Sequence, residues 1–113
     1  MRRDPFTRRR TFHNGIDFAS RVGTPIFSTA PGKVIASGWA GGYGRRIAIN
    51  HGYGLMTLYG HLWRFRVRPG KWVKRGQLIG WMGNSGRSTG PHLHYAVFRK
   101  QRPVNPVRYL RRR

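Results

Sequence analysis

The chain has 113 residues, 38% of them hydrophobic and 13% aromatic, with 16 Gly and seven Pro, which is the size of one domain able to bury its own core. It has no Cys, so a disulfide framework and a thiolate metal site are both excluded. Twenty-three Lys and Arg stand against two acids, Asp4 and Asp17, a formal charge of +21; such a surface adheres to polyanions, and no apolar run approaches the ~18 residues of a membrane span.

Residues 1–10 form a basic lead-in, expected to be a surface arm. They carry charge without the apolar run of a signal peptide, so an export signal is not expected in this chain. Residues 11–19 read as an irregular loop, turning at Asn14-Gly15, that enters a short strand. A turn then opens a strand within residues 22–30. Pro31-Gly32 turns into a strand over 33–39, followed by a Gly, Trp and Tyr loop to Gly44. Residues 45–50 alternate, with Ile47 and Ile49 on one face and Arg46, Ala48 and Asn50 on the other. His51-Gly-Tyr-Gly is a hairpin turn and residues 55–62 its return strand, with 63–67 as a link. Pro69-Gly70-Lys71 repeats Pro31-Gly32-Lys33, a repetition that two chance turns also explain. Trp72-Val73, a Lys-Arg-Gly turn and a strand over 77–82 follow. The Gly, Ser, Thr and Pro of residues 83–91 make a loop, and His92 begins a strand to Phe98. Residues 101–113 form a basic, Pro-interrupted tail with room for one short helical turn. Short strands at regular spacing with Gly and Pro punctuation point to an all-β sandwich or small barrel.

Five histidines are present: His13, His51, His61, His92 and His94. On a strand His92 and His94 share a face, while Leu93, Tyr95 and Val97 face an apolar layer. His13 and Asp17, four apart on an extended segment, also share a face. Asp17 is either an ion-pair anchor or a ligand. Joined to His-x-His it completes a set of two imidazoles and one carboxylate, the donor set of a catalytic zinc with an open position. The remaining imidazole and His61 are then available for proton transfer or oxyanion stabilisation. His51, in its hairpin turn, reads as structural.

Three motifs in order, His13-Asn-Gly-Ile-Asp17, Tyr59-Gly-His61-Leu62 and Gly83-Asn-Ser-Gly-Arg-Ser-Thr-Gly-Pro-His92-Leu-His94-Tyr, resemble the zinc endopeptidases of the lysostaphin and LytM type. Gly23-Thr-Pro-Ile, Gly41-Gly-Tyr-Gly, His51-Gly-Tyr-Gly-Leu and Val104-Asn-Pro match as well, so the resemblance spans about residues 4–110. It implies one domain, a compact antiparallel β-sheet with a groove over its central strands. It implies hydrolysis of peptide cross-links in bacterial peptidoglycan, of the D-alanyl–diaminopimelate type, in the periplasm, the envelope or outside the cell. One Zn2+ would be held by His13, Asp17 and His94, with His61 and His92 catalytic. Relatives often carry an acid or amide where this chain has Ala96, and acidic or neutral residues where it has Arg45, Arg46 and Asn50.

Two further readings stand beside this one. Some relatives act as activators of other hydrolases, so a zinc-retaining, non-catalytic wall-binding module is the alternative. The charge, with aromatics among cations in Trp63-Arg-Phe-Arg-Val-Arg, also predicts affinity for anionic envelope polymers. Non-specific nucleic-acid binding in vitro would follow from the same charge.

Overall fold

The computed structural model describes residues 2–4, 9–12, 15–86 and 90–106, the first two segments as backbone. Eleven strands follow in order: β1 (Arg2–Asp4), β2 (Arg9–Phe12), β3 (Gly15–Ala19), β4 (Pro25–Phe27), β5 (Gly32–Trp39), β6 (Arg45–Gly52), β7 (Leu55–Phe65), β8 (Trp72–Val73), β9 (Leu78–Met82), β10 (His92–Arg99) and β11 (Arg102–Val104). A 3-10 turn, Gly41–Tyr43, joins β5 to β6. All the pairings are antiparallel, in the order β1-β2-β3-β10-β7-β6-β5-β8. Strand β11 adds to β10, and β9 pairs with both β4 and the far end of β7.

The alternating pattern predicts the buried face. Tyr95 lies opposite Tyr59 and Val97 opposite Thr57 across β10 and β7, while Ile47 and Ile49 lie opposite Tyr59 and Thr57 across β6 and β7. Directly opposed residues share a face, so these side chains form one apolar layer. Ile26 of β4, Val73 of β8 and Ile79 and Met82 of β9 close over it. The Tyr59 and Tyr95 rings meet at 5.4 Å, tilted by 54°, a contact worth about 0.5–1.5 kcal/mol beyond area burial.

Neither a separate sandwich nor a barrel results. The two layers are one hydrogen-bonded sheet, because β7 continues past Leu62 to Phe65 and there pairs with β9. The link expected over residues 63–67 is therefore partly strand. The stretch expected as a surface arm contributes β1 and β2, which lengthen the sheet beyond β3. The short helical turn expected in the tail falls largely outside the described residues, and the tail's start is strand β11. The two Pro-Gly-Lys stretches meet in space, since Gly32 and Lys33 pair with Val73 and Trp72. Their glycines differ: Gly70 sits at φ 97, whereas Gly32 is an ordinary strand residue.

A polar chain threads the apolar layer. Thr29 Oγ1 lies 3.1 Å from the Tyr59 hydroxyl and 2.9 Å from that of Tyr95. Thr57 Oγ1 lies 3.2 Å from the Tyr59 hydroxyl and 2.7 Å from His51 Nε2. His51 Nδ1 lies 2.8 Å from the Pro31 carbonyl, which can only accept, so the neutral ring carries its proton on Nδ1. The structural reading of His51 agrees with this position. Burial holds the His51 pKa below its ordinary 6.5, opposed by the Pro31 bond. The unfolded chain therefore takes up this proton first as pH falls, and the stability tied to neutral His51 is lost from pH 6.5 downwards. Urea midpoints at pH 7.5 and at about pH 5 should differ more for the native chain than for the His51→Gln variant; equal losses would contradict the assignment.

Candidate active site

On the opposite face of the same strands, β10 lies between β3 and β7. Its register sets His94 opposite Asp17 on one side and opposite Gly60 on the other. His94 Nδ1 and Asp17 Oδ1 are 2.7 Å apart. His92, one step along the same face, brings its Nε2 to 3.8 Å from Asp17 Oδ1. Gly60 lacks a side chain, and Tyr43 from the 3-10 turn fills the space above it. A Cβ at Gly60 would lie 3.2 Å from the Tyr43 ring, and that ring packs on His94 at 5.6 Å.

His61 reaches this face by breaking the strand's alternation. A regular strand would put it with Tyr59 in the apolar layer. Instead its backbone is left-handed, φ 63, and the pairing of β7 with β6 shifts register between Arg45 and Ile47. This bulge turns the His61 ring toward His92, centroids 4.5 Å apart, and His94, 6.2 Å. The polar groups released by the bulge are taken up by Ser85. Its hydroxyl donates to the Leu62 carbonyl at 2.6 Å and accepts from the Arg45 N–H at 3.0 Å. The Ser85 carbonyl in turn accepts from His61 Nδ1 at 2.7 Å.

The same logic fixes His92, whose Nδ1 lies 2.8 Å from the Gly90 carbonyl. In the neutral rings of His61 and His92 the proton is thus on Nδ1, leaving Nε2 as a lone pair. Burial pushes the His61 pKa below 6.5; the Ser85 bond opposes this, and nearby His92 and His94 add to it. His61 is therefore neutral near pH 7.

The donor chemistry suits a divalent cation. Asp17 Oδ1 and His94 Nδ1 already touch, and a cation can take the place of the one proton between them. Gly15 keeps the space open beside them: a Cβ there would come within 2.5 Å of the His94 ring. Among the described residues no cluster of three metal-ligating side chains is found, and His13 lies outside them. Of the five expected site residues, Asp17, His61, His92 and His94 converge, and His13 is not described. Ala96 is fully buried, in a row with Leu58 and Ala48. Backbone carbonyls, rather than a carboxylate near Ala96, orient the imidazoles of His61 and His92. Sequence reasoning did not single out Tyr43 or Ser85; their only signal was membership of Gly41-Gly-Tyr-Gly and Gly83-Asn-Ser-Gly.

A model of peptidase family M23 matches residues 11–106. The chain is 45% identical over 107 residues to the peptidoglycan DD-endopeptidase ShyA of Vibrio cholerae, covering 92% of this chain and 24% of that protein. It thus spans about a quarter of that relative's length. The catalytic domain of the antimicrobial peptidase lysostaphin from Staphylococcus simulans superposes with a TM-score of 0.83 at 36% identity, covering 89% of this chain and 80% of that one. A zinc-containing peptidase from Vibrio cholerae superposes with a TM-score of 0.81 at 41% identity, covering 99% and 34%.

Backbone contact between the two loops beside the site predicts a stability order. A Cβ at Gly44 would lie 2.4 Å from the Ser85 carbonyl carbon, and one at Gly86 would lie 2.3 Å from the Gly44 nitrogen. Gly41 also has positive φ, 52, but open space around it. Gly44→Ala and Gly86→Ala should each cost about 2–4 kcal/mol in urea unfolding, and Gly41→Ala about 1 kcal/mol. Equal costs at the three positions would show that the loops do not pack as described.

Proposed function

Because the chain belongs to peptidase family M23, we propose that it is a zinc-dependent endopeptidase that hydrolyses peptide cross-links of bacterial peptidoglycan, of the D-alanyl–diaminopimelate type. The observation carrying this reading is the meeting of one carboxylate and three imidazoles on one face of the sheet. Its substrate is that of the peptidoglycan DD-endopeptidase it resembles, and its metal that of the zinc-containing peptidase. The place of action is the cell envelope or outside the cell. No helix among the described residues is long and apolar enough to cross a membrane.

His13, Asp17 and His94 would hold the ion. A bound Zn2+ supplies Lewis acidity for the scissile carbonyl and makes water a stronger acid. The remaining chemistry belongs to His61 and His92. With Nδ1 tied to a backbone carbonyl, each ring keeps its tautomer and orientation as the substrate arrives. Nε2 of one of them takes the proton of the attacking water. Oxygen adds to the amide carbon, and the second imidazole stabilises the negative oxygen in the state where its Nε2 is protonated as well and donates to it. The C–N bond then breaks, and the proton held on Nε2 goes to the departing amine. Burial of His61 serves this sequence by keeping a base available at neutral pH.

Asp17→Ala and His94→Ala should lose bound zinc by elemental analysis. His61→Ala and His92→Ala should keep one zinc per chain and lose about 10²-fold or more of cross-link cleavage. Full cleavage by the Asp17→Ala protein would sink the proposal. A native chain that holds zinc but releases no peptides from walls would instead identify a binding or activating module. Mass spectrometry of peptides from two wall types assigns the bond.

A further inference from the structure

The Trp63-Arg-Phe-Arg-Val-Arg stretch has no part in the site just described. After the bulge at His61 the chain runs extended, and exposure alternates. Arg64, Arg66 and Arg68 are exposed, Phe65 is half-buried and Val67 is buried. The Arg66 N–H bonds to the Ile79 carbonyl, holding this extension along β9. Strand β7 ends at Phe65, so Arg66 and Arg68 lie on the segment that follows it. The Pro69-Gly70 turn then reverses the chain, using the left-handed φ of 97 at Gly70. It closes with Lys71 N–H on the Arg68 carbonyl at 3.2 Å. Lys71 is thereby brought back beside Arg66 and Arg68, and the three line a pocket of about 490 Å³ with Gln77 and Leu78. Gln77 Oε1 accepts from the Lys74 N–H at 3.0 Å, so its amide NH2 is the end left to donate.

Among the described residues no anion serves these cations. Among the described residues the only carboxylate pairs are those of Asp17 with His92 and His94. We propose that residues 64–71, with Gln77, bind a linear phosphodiester polymer that carries no bases: a polyol phosphate of the cell envelope. Arg66, Arg68 and Lys71 converge on one pocket, and Arg and Lys both suit phosphate. A single-stranded nucleic acid would need aromatic platforms for its bases. Here Phe65 and Val67 pack against the core, and the two exposed rings that flank the stretch, Trp63, which carries the Arg64 guanidinium at 5.6 Å, and Trp72, lie outside the lining of the pocket. The choice of an envelope polymer rests on the wall-directed reading above, since that is where the enzyme would meet one. The stretch starts three residues from His61, so a bound polymer would keep the groove at the wall between cuts.

The test is calorimetric binding of a synthetic glycerol phosphate oligomer to the zinc-loaded chain at several salt concentrations. Arg66→Gln, Arg68→Gln and Lys71→Gln together should weaken binding at least about tenfold at low salt and reduce the log–log salt slope by about 2. Arg99→Gln, Lys100→Gln and Arg102→Gln, which remove the same charge elsewhere, should change the slope by less than about 1. Each of the first three changes made singly should lower it by about 0.7, which keeps the test open if the triple variant is unstable. Oligothymidylate with equal phosphates should bind less tightly than the glycerol phosphate. Equal weakening by the two triple variants, or tighter binding of oligothymidylate, would overturn the proposal. His94→Ala should abolish wall cleavage yet bind the polymer as the native chain does. Cleavage of a soluble, phosphate-free wall peptide should be unchanged in the Arg66, Arg68 and Lys71 variant. Failure of the peptidase reading and failure of this one are thus separate results.

Discussion

The register of β10 between β3 and β7 is the constraint on which the rest depends. It places His94 against Asp17, which lies 77 positions away in the chain. The same register places Tyr95 against Tyr59 on the opposite face. Core and site are therefore two sides of one alignment. A slip by one residue would turn the imidazoles into the apolar layer and the tyrosines out of it. Because the tyrosines, Val97 and the β6 isoleucines bury almost completely, at about 1.5–3 kcal/mol for each large side chain, packing on the far face strongly disfavours such a slip. Hydrophobic burial thus positions the polar site without touching it.

One departure from the regular sheet then completes the site. His61 adopts a left-handed backbone, which costs a non-Gly residue about 1–2 kcal/mol. The Ser85 hydroxyl and carbonyl make three hydrogen bonds around it, each worth about 0.5–1.5 kcal/mol net. The strain is offset locally, and the loop after β9 is fastened to the bulge by the same bonds. Glycine-to-glycine contact between residues 44 and 86 seats that loop against the 3-10 turn carrying Tyr43. The two loops beside the site and the orientation of His61 are consequently one mechanical unit.

Charge enters at a different level. Of two carboxylates in the sequence, the one whose side chain is described is occupied by imidazoles. The exposed cations are left to solvent or to an external polyanion, and their mutual repulsion favours an anionic partner. The cationic stretch at residues 64–71 follows from the same bulge-and-extension geometry that carries β7 from the site to β9. Attachment to the wall and cutting of the wall would then be served by β7 and by the segment that follows it.

Most of the strand pattern, the buried alternation of β6 and β10, and the shared face of His92 and His94 were legible in the sequence alone. These follow from period-two patterning and turn chemistry, which are local properties. Tertiary structure alone decided the placement of His61, because alternation assigns it to the core and only a bulge closed by Ser85, 24 residues on, reverses that. It alone revealed Tyr43 over Gly60 and the continuation of β7 to β9, which joins two expected layers into one sheet. Each of these depends on a contact between segments distant in sequence, where local preference is silent and the filling of space decides.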